Sequence, residues 1–368
     1  MNVIEIIPIA RGTHVETLSY FTSENPPLGA IVDVPLRSKT IHGIVSSVHP
    51  AAEMKGDLKT ADFSLKKIEK VKARDFLSVA LVNAARTEAD YVGATLGATL
   101  KAMVHDSIFA EAGKLTIALT SPEKAAAMKG TTNSAANGHV SALQGDDEDR
   151  YGAYRSLIRQ EFARKKSILF LAPTVEESGN LKKVLEKGIE KYIFILHSGM
   201  TPKKIREEWN KAAEEKHPIV MIATGSFMVF QRSDQETIVI ERESMRGWKS
   251  QRRPYLDLRH AIETYAKASG LRLYISDLAL RIETSRRQSQ GDIETGSLYK
   301  ARSVSSAHDS VIDMKQYKGG ASFRIFSDAA EALLQRTHDE SAHMVVIAAR
   351  KGLAPSTVCA DCHTIVVC

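Results

Sequence analysis

Residues 168–196 read ILFLAPTVEESGNLKKVLEKGIEKYIFIL, and this stretch decides the fold class. Two short apolar runs, Ile168–Ala172 and Tyr192–Leu196, flank a segment with the spacing of an amphipathic helix, Val175–Ile189. Apolar strands without polar alternation, separated by helices, are typical of a parallel sheet that is covered on both faces. The stretch therefore predicts an α/β lobe.

The same pattern continues towards the carboxyl end of the chain. The further apolar runs are Ile219–Ala223, Thr237–Ile240 and Leu271–Ile275. The further helical segments are Pro202–Glu215 and Pro254–Ser269. We assign residues 150–300 to this lobe, whose ligands are expected at the carboxyl ends of its strands.

The segments around the lobe differ from it in composition. Short β-type runs separated by turn-forming residues predict a small β-rich domain over residues 1–70, with strands at Val3–Ile9, Glu16–Phe21, Ala30–Pro35 and Ile41–Val48. Residues 71–120 predict helices, with Gly93 and Gly97 as break points. Residues 121–149 are rich in Ala, Ser, Gly and Asn and predict a flexible linker. Residues 301–368 predict a connecting unit, with a helix at Ser327–Arg336 and a strand at Met344–Ala348, before a cysteine cluster.

Composition excludes several classes of protein. Hydrophobic residues make up 43% and charged residues 26% of the 368 residues, which excludes wholesale disorder. A net charge of +6 permits a polyanionic partner without requiring one. Three cysteines exclude a disulfide scaffold. The amino-terminal residues lack a basic n-region, and no run of 18 apolar residues occurs, so we expect a cytoplasmic protein without a membrane span.

All three cysteines lie close together, at Cys359, Cys362 and Cys368. A CxxC pair suits zinc, because two thiolates from one turn can occupy adjacent tetrahedral corners. A structural site needs four ligands and only three cysteines are present, so the zinc set is incomplete. The alternatives are a reduced, unpaired CxxC and a redox pair.

Several motifs, taken in order, resemble one known family. They are LSYFTSENPPLGAIVDVPLRSKTIHGIV at 18–45, LHSG at 196–199 with Arg206 and Trp209, WKSQ at 248–251, VIDMK at 311–315, and ARKGLAP at 349–355 before the C-x2-C-x5-C cysteines. Their order and spacing resemble the primosomal protein N′ (PriA) family of replication-restart DNA helicases. The resemblance implies a multidomain chain: a β-rich 3′-DNA-binding domain, a helical and winged-helix-like segment, a RecA-like helicase lobe, and a truncated zinc-binding module. It also implies ATP with Mg²⁺ and zinc as cofactors, and forked or single-stranded DNA and replication-restart proteins as partners.

The departures from the family concern its nucleotide chemistry. Where the family has GxxGSGKT, residues 145–151 read GDDEDRY, so Arg150 stands in the lysine position and Tyr151 in the threonine position. A phosphate loop needs glycine amides and a lysine, and four successive acids repel a triphosphate. The family's DEEH reads Glu241-Arg242-Glu243-Ser244, its GTRS reads ATGS at 223–226, and its GSATPS reads SDLALR at 276–281. We therefore name no functional catalytic residue, only the degenerate Glu241 and Glu243, and predict that ATP hydrolysis is lost.

Two groups of residues are candidates for DNA contact, because single-strand binding combines stacking aromatics with cations. The first group is Tyr20, Phe21, Arg37 and Lys39. The second is Trp248, Lys249, Arg252 and Arg253, flanked by Arg246 and Arg259 and opposed by Asp257. The structural alternatives are that Tyr20 and Phe21 pack in a core and that the cations form a solvated helix face.

Three functions remain open. The first is a PriA-like DNA-binding protein of replication restart, recombination and repair without ATP hydrolysis. The second is a fragment or divergent copy of an ATP-dependent 3′–5′ DNA helicase. The third is a protein-interaction scaffold for restart factors.

Overall fold

The computed structural model describes residues 1–10, 15–51, 65–74, 76–117, 139–296, 308, 310–317, 325–347, 357–359, 361–362 and 364–366. The chain divides into two compact units, residues 1–302 and 303–368. The predicted divisions at 1–70, 71–120 and 150–300 all lie within the first unit. No helix in the described ranges is both long and apolar enough to cross a membrane.

The amino-terminal region is a β-sheet of six strands in the described part of the chain, in the order β5-β2-β1-β4-β3-β6. The strands are β1 Asn2–Ile9, β2 Leu18–Thr22, β3 Ile31–Leu36, β4 Lys39–Pro50, β5 Lys66–Lys67 and β6 Lys70–Ala73. β1 is antiparallel to both of its neighbours, and its Ile4 and Ile6 are fully buried with Val32 and Val45. The predicted β-rich domain is confirmed as a β-rich region.

Three helices follow the sheet: α1 Val79–Val92, α2 Leu96–Met103 and α3 Asp106–Glu111. Gly93 ends α1 in the left-handed conformation, which glycine adopts without steric cost. Gly97 does not break a helix as predicted, because it lies within α2, where the helix approaches β1. A Cβ there would come within 2.0 Å of the Pro8 carbonyl oxygen, so only glycine fits.

Residues 139–296 form an α/β lobe whose sheet has the strand order β13-β7-β12-β11-β8-β10-β9, with every pair parallel. Its strands are β7 Val140–Gln144, β8 Ser167–Ala172, β9 Ile193–Leu196, β10 Val220–Thr224, β11 Gln235–Ile240, β12 Arg272–Asp277 and β13 Glu294–Thr295. Its helices are α4 Asp147–Ala163, α5 Val175–Leu185, α6 Pro202–Glu214, α7 Leu258–Ser269 and α8 Ile282–Ser289. This parallel sheet confirms the α/β class and is consistent with a RecA-like lobe.

The predicted linker is wrong at its carboxyl end. Residues 121–138 lie outside the described residues, but Val140–Gln144 form β7, which pairs with both β12 and β13. Its VSALQ sequence is too short and too mixed to resemble a buried strand, and only pairing with β12 makes it one. The predicted helix from Pro254 begins instead at Leu258, because residues 254–257 form a loop.

The helices after the β-rich sheet pack directly on the α/β lobe. The Trp209 indole N–H on α6 donates to the Thr116 carbonyl at 2.9 Å, and Arg206 pairs with Glu111 of α3 at 2.7 Å. Residues from the β-rich sheet, these helices and the lobe contribute to one hydrophobic cluster. The first unit is therefore held together by a shared core.

The second unit contains helix α9, Asp328–Asp339, and a hairpin of β14 Thr357–Val358 and β15 Ile365–Val366. The helix matches the predicted Ser327–Arg336 segment. The predicted strand Met344–Ala348 is wrong over residues 344–347, which form no strand and pair with none of the described strands. The motif at 349–355 and Cys368 lie outside the described residues.

Candidate functional site

The carboxyl edge of the parallel sheet carries the candidate site. β7 leads through Gly145 and Asp146 into α4, and the segment 241–244 follows β11 two strands away. We call these two segments the nucleotide position, because the sequence predicts the degenerate phosphate loop and the degenerate second motif there. The structure brings the two segments together.

The protein's own carboxylates surround the start of α4. The Asp146 side chain accepts a hydrogen bond from the Asp149 N–H at 2.9 Å and caps the helix. Asp147, Glu148 and Asp149 fill the first turn. A helix amino terminus attracts anions through its free N–H groups. At α4 the carboxylates of the protein itself already lie at these groups. A phosphate at this terminus would meet four negative charges.

Arg150 is buried beneath this terminus, with only 1% of its surface exposed. Its guanidinium donates to Glu241 Oε1 at 2.7 Å, to Asp147 Oδ1 at 2.8 Å and to the Gly145 carbonyl at 2.7 Å. Burial acts to lower the pKa of Arg150, but the hydrogen bond and charge of Glu241 outweigh it, so the pKa is raised. The group in the lysine position is therefore a cation whose partners belong to the protein.

Glu241 is satisfied on both oxygens. Oε1 accepts from Arg150, and Oε2 accepts from the Tyr154 hydroxyl, which also contacts Ser276 Oγ. Burial raises the pKa of Tyr154 well above its usual value, so the phenol keeps its proton for this bond. Because Glu241 is 1% exposed, these side chains form a closed network within the sheet edge. The residues present do not fit a nucleotide-bound magnesium ion.

Arg242 and Glu243 are both engaged by the protein. Arg242 has a φ of 50°, and its guanidinium lies 2.7 Å from Asp147 Oδ2 and 2.9 Å from Glu177 Oε2. Glu243 accepts from the Arg281 N–H at 2.7 Å and from the Thr284 hydroxyl at 2.8 Å, at the start of α8. Burial raises the pKa of Glu243. Its carboxylate therefore caps a helix instead of facing an open pocket.

Tyr151 lies beside this network and is half-buried. The Arg150 guanidinium carbon is 5.9 Å from the centre of its ring. Burial, followed by the nearby charge of Asp147, raises the pKa of Tyr151. A bulky ring therefore occupies the position where the family has a small hydroxyl residue.

A second feature of the same edge is a cavity of about 190 Å³, which we call the hydroxyl pocket. The hydroxyl residues that line it are Thr174, Ser198, Thr224 and Ser226. Thr224 is 7% exposed, and its Oγ1 has no hydrogen-bond partner among the described residues. Thr174 caps the amino terminus of α5 at this pocket by accepting from the Glu177 N–H at 3.1 Å, and Glu176 and Glu177 lie in the first turn. The Thr224 hydroxyl is a donor at this pocket that no described residue uses.

The basic loop, residues 246–255, borders the hydroxyl pocket through Gly247 and Trp248. Its cations are exposed to solvent and form no ion pair within the described ranges; they are Arg246, Lys249, Arg252 and Arg253. Gly247 passes so close to Pro173 that a Cβ would lie 2.5 Å from its carbonyl oxygen. Arg246 and Lys249 thus flank, in sequence, the two loop residues that line the pocket.

The prediction that Trp248 stacks on DNA is wrong in this structure. Trp248 is fully buried, and its indole N–H donates to the Arg242 carbonyl at 3.0 Å. The exposed aromatic of the loop is Tyr255, with 54% of its surface accessible. Arg259 is also not a free cation, because it binds the Asp257 carboxylate and the Glu243 carbonyl. Both aromatics lie in the same basic stretch, so no signal in the sequence marked Tyr255 as the exposed one.

The residues of the β-rich sheet that were predicted to contact DNA also divide into buried and exposed side chains. Tyr20 is 4% exposed and donates its hydroxyl proton to the Pro35 carbonyl at 2.9 Å, so the core-packing alternative holds for this ring. Phe21 is half-buried, whereas Arg37 and Lys39 are exposed at the tight turn between β3 and β4. Stacking by Tyr20 is therefore wrong, and the turn keeps its two exposed cations.

Two further lysines were missed by the sequence analysis. Lys66 and Lys67 of β5 pair with Tyr20 and Phe21 of β2, and both lysines are exposed. The adjacent lysines were visible in the sequence, but only strand pairing brings them to β2. They add positive charge beside the half-buried Phe21.

The cysteine hairpin of the second unit provides two thiols. Cys362 is exposed, and a hydrogen bond with the Thr364 hydroxyl, with a smaller contribution from Cys359, lowers the pKa of Cys362 to about 7. No group of three or more metal-ligating side chains occurs among the residues that the structure describes. Cys359 and Cys362 can supply two of the four ligands of a structural zinc ion.

Comparison with known proteins identifies relatives of this chain. Residues 6–105 match the family model of the PriA 3′DNA-binding domain (3′BD). The chain is 24% identical over 247 residues to the replication restart protein PriA of Helicobacter pylori strain J99. It is 23% identical over 247 residues to the PriA of strain 26695. Each alignment covers 66% of this chain and 37% of the relative.

Proposed function

Because the chain is related to the PriA replication restart proteins, we propose that it is a DNA-binding protein of replication restart whose α/β lobe does not hydrolyse ATP. One contrast carries the proposal. At the nucleotide position the charged side chains are paired with other side chains of the protein, whereas the cations of the basic loop are exposed and form no ion pair within the described ranges. The chain spans 37% of the length of its relatives, so the activity of a whole relative is not transferred to it.

The absence of ATP hydrolysis rests on the energetics of the nucleotide position. A triphosphate would have to draw Arg150 away from Glu241, and separating a buried ion pair costs about 3–5 kcal/mol. It would also approach the four carboxylates of residues 146–149. Neither Glu241 nor Glu243 has a carboxylate oxygen free of protein donors. Both side chains are also buried, whereas magnesium binding and activation of water need carboxylate oxygens that the ion and solvent can reach.

DNA binding by the lobe rests on the basic loop and the hydroxyl pocket. Phosphate oxygens accept hydrogen bonds from hydroxyls, and the Thr224 hydroxyl at the pocket has no hydrogen-bond partner among the described residues. Arg252 and Arg253 attract the phosphate backbone, and Tyr255 offers an exposed ring to a base. Because few carboxylates neutralise the loop, its attraction for DNA should depend steeply on salt.

The β-rich sheet supplies a second DNA surface in this proposal. Arg37 and Lys39 on one turn and Lys66 and Lys67 on β5 are exposed cations of the matched 3′DNA-binding region. The resemblance to the family implies an acidic residue at the position of Ser19 that helps to recognise the terminal nucleotide, and serine carries no such charge. We therefore propose binding without strong preference for a 3′ end.

Fluorescence anisotropy with single-stranded and forked oligonucleotides tests DNA binding directly. The variant Arg252→Ala/Arg253→Ala should weaken binding and reduce the slope of log affinity against log salt by about 0.7 per lost phosphate contact on single strands. The matched control is Arg155→Ala/Arg159→Ala, which removes two exposed arginines of α4. Equal effects of the two variants would remove the basic loop from the proposal.

ATP hydrolysis is measured with the same protein in the presence and absence of forked DNA. We expect no turnover above the background of a heat-treated sample. DNA-stimulated turnover that disappears in Glu243→Gln would contradict the proposal and favour the helicase alternative. If the protein bound none of the DNA substrates, the proposed DNA binding would be contradicted and the scaffold alternative would be favoured.

We also propose that Cys359 and Cys362 bind zinc together with other ligands. Their thiols lie on one tight hairpin, as adjacent tetrahedral ligands require. The sequence predicts Cys368 as a further ligand. Metal analysis of the purified protein should find zinc, and Cys359→Ser/Cys362→Ser should lose it.

A further inference from the structure

A carboxylate is buried between a helix that follows the β-rich sheet and the α/β lobe. Glu88 of α1 is 1% exposed, and its Oε1 lies 2.7 Å from His260 Nδ1 and 2.9 Å from the Thr264 hydroxyl. His260 and Thr264 both lie on α7 of the lobe. The contact therefore joins residues 172 positions apart in the chain.

Glu88 depends strongly on the imidazole. Its Oε2 has no hydrogen-bond partner among the described residues, so both of its protein donors act on Oε1. A buried carboxylate is costly unless it is paired and hydrogen-bonded. Of its two partners, only His260 can carry a positive charge. Loss of that charge leaves the carboxylate with neutral donors alone.

Tyr91, one turn further along α1, covers the imidazole. The rings of Tyr91 and His260 stack with centroids 4.5 Å apart and planes 24° apart. The His260 side chain is still 44% exposed, so solvent protons reach it. The ring is therefore held in place by its neighbours but can titrate.

The charges around His260 favour its protonated form. The hydrogen bond to Glu88 has the largest effect and raises the pKa of His260, burial opposes this, and the charges of Glu88, Glu263 and Asp257 raise it further. Asp257, which caps α7, is paired with Arg259 and Arg281. Glu263 of α7 is paired with Lys267 and with Arg287 of α8.

The charged groups on the other elements next to the Glu88–His260 contact are exposed to solvent or engaged by other residues. The remaining charged residues of α1, Arg86 and Asp90, are exposed to solvent. On β12, Arg272 is paired with Glu161, and Asp277 accepts from the Ser244 N–H. The turn at Gly225–Phe227, which also packs on α7, has no charged side chain. Glu88 is thus the carboxylate that balances the positive charge of protonated His260.

We propose that Glu88, His260 and Tyr91 form a proton-operated latch that holds α1 against the α/β lobe. With the imidazole protonated, the ion pair and the ring stack keep α1 docked. With the imidazole neutral, the buried carboxylate loses its counter-charge and α1 opens more often. The latch thereby makes the docking of the helices between the two proposed DNA surfaces depend on pH.

The sign follows from the direction of the shift. A histidine whose pKa is raised by folding stabilises the folded state fully below its ordinary pKa of 6.5. That contribution is lost as the pH rises through the higher pKa of the folded state. The latch is therefore closed at mildly acidic pH and weakens as the solution becomes alkaline.

Hydrogen–deuterium exchange of the full chain tests the latch, with rates corrected for the intrinsic pH dependence of exchange. Between about pH 6 and pH 8.5, opening of α1 relative to β8 should increase on the order of tenfold in the wild type, the scale of one hydrogen bond to a charged group. In His260→Gln, which keeps a hydrogen-bond donor but cannot titrate, the increase should disappear. Glu88→Gln should also abolish it.

Two controls separate the latch from general loss of stability. His49→Gln replaces an exposed histidine of β4 and should leave the pH dependence of α1 unchanged. Tyr91→Leu removes the ring stack but keeps the ion pair, so opening should rise at all pH values with the pH dependence retained. The same pH dependence in wild type and His260→Gln overturns the proposal. A wild-type profile without any increase also overturns it, even if the variants fail to fold.

Discussion

Replacing Arg150 tests whether the nucleotide position is filled by a pair that the fold depends on. Arg150→Met keeps the apolar stem of the side chain but removes the guanidinium cation from Glu241, which is 1% exposed. Leaving one partner of a buried ion pair uncompensated typically costs about 3–5 kcal/mol. Three guanidinium hydrogen bonds are lost with the charge, so we expect a loss in the upper half of that range.

The double variant Arg150→Met/Glu241→Gln separates pairing from burial. It removes both charges, so no ion is left stranded at the sheet edge. We expect it to lose at least 2 kcal/mol less than the sum of the two single variants, which is about the coupling that contacting residues in one network show. Tyr154 can still donate to the amide oxygen of the glutamine.

Urea unfolding followed by circular dichroism measures these free energies. The matched control is Arg159→Met, an exposed arginine on the same helix, which should change stability by no more than about 0.5 kcal/mol. A loss below about 1 kcal/mol for Arg150→Met, or strict additivity of the two single variants, would refute the reasoning. The position would then be open enough to admit another ligand.

Three further outcomes follow from individual contacts. Tyr20→Phe removes the hydrogen bond to the Pro35 carbonyl and should lower the free energy of unfolding in urea by about 1 kcal/mol. DNA binding should not weaken, because the ring is buried. A loss of DNA affinity would contradict the assignment of Tyr20 to the core. Arg252→Glu should weaken binding to single-stranded DNA more than Arg252→Ala does, and the difference should shrink as salt is raised in anisotropy titrations. Alkylation of Cys362 by iodoacetamide in metal-free protein should reach half its maximal rate near pH 7, and Thr364→Val should move that midpoint towards 9, the ordinary pKa, because the hydroxyl that stabilises the thiolate is gone.

Much of the architecture could be predicted because strand and helix periods are local properties. The apolar run Ile168–Ala172 became β8, with every residue buried, and Ser327–Arg336 became most of α9. β7 was missed because VSALQ contains too few β-branched or aromatic residues to stand out. Its pairing with β12, a strand more than 120 residues away, makes it part of the sheet.

For the candidate site, the sequence predicted which residue types stand at the nucleotide position. It did not predict which side chains are buried and which are exposed. Arg150 in place of a lysine and Glu241 in place of an aspartate are changes that can be seen in the sequence. Their mutual distance of 2.7 Å and the hydrogen bonds of Tyr154 needed the structure. Trp248 and Tyr255 could not be separated beforehand, since an aromatic in a basic stretch suits a core or a surface equally well.

The sequence by itself determined the α/β class and the β-rich region that precedes it, because the hydrophobic period of strands and helices is a local property of the chain. Only the tertiary structure decided that Arg150 is neutralised from within, that Tyr255 and not Trp248 faces solvent, and that Glu88 meets His260. These are properties of contacts between residues far apart in sequence. Burial and pairing set the free energy of a charge or a ring, and both exist only after distant segments pack together.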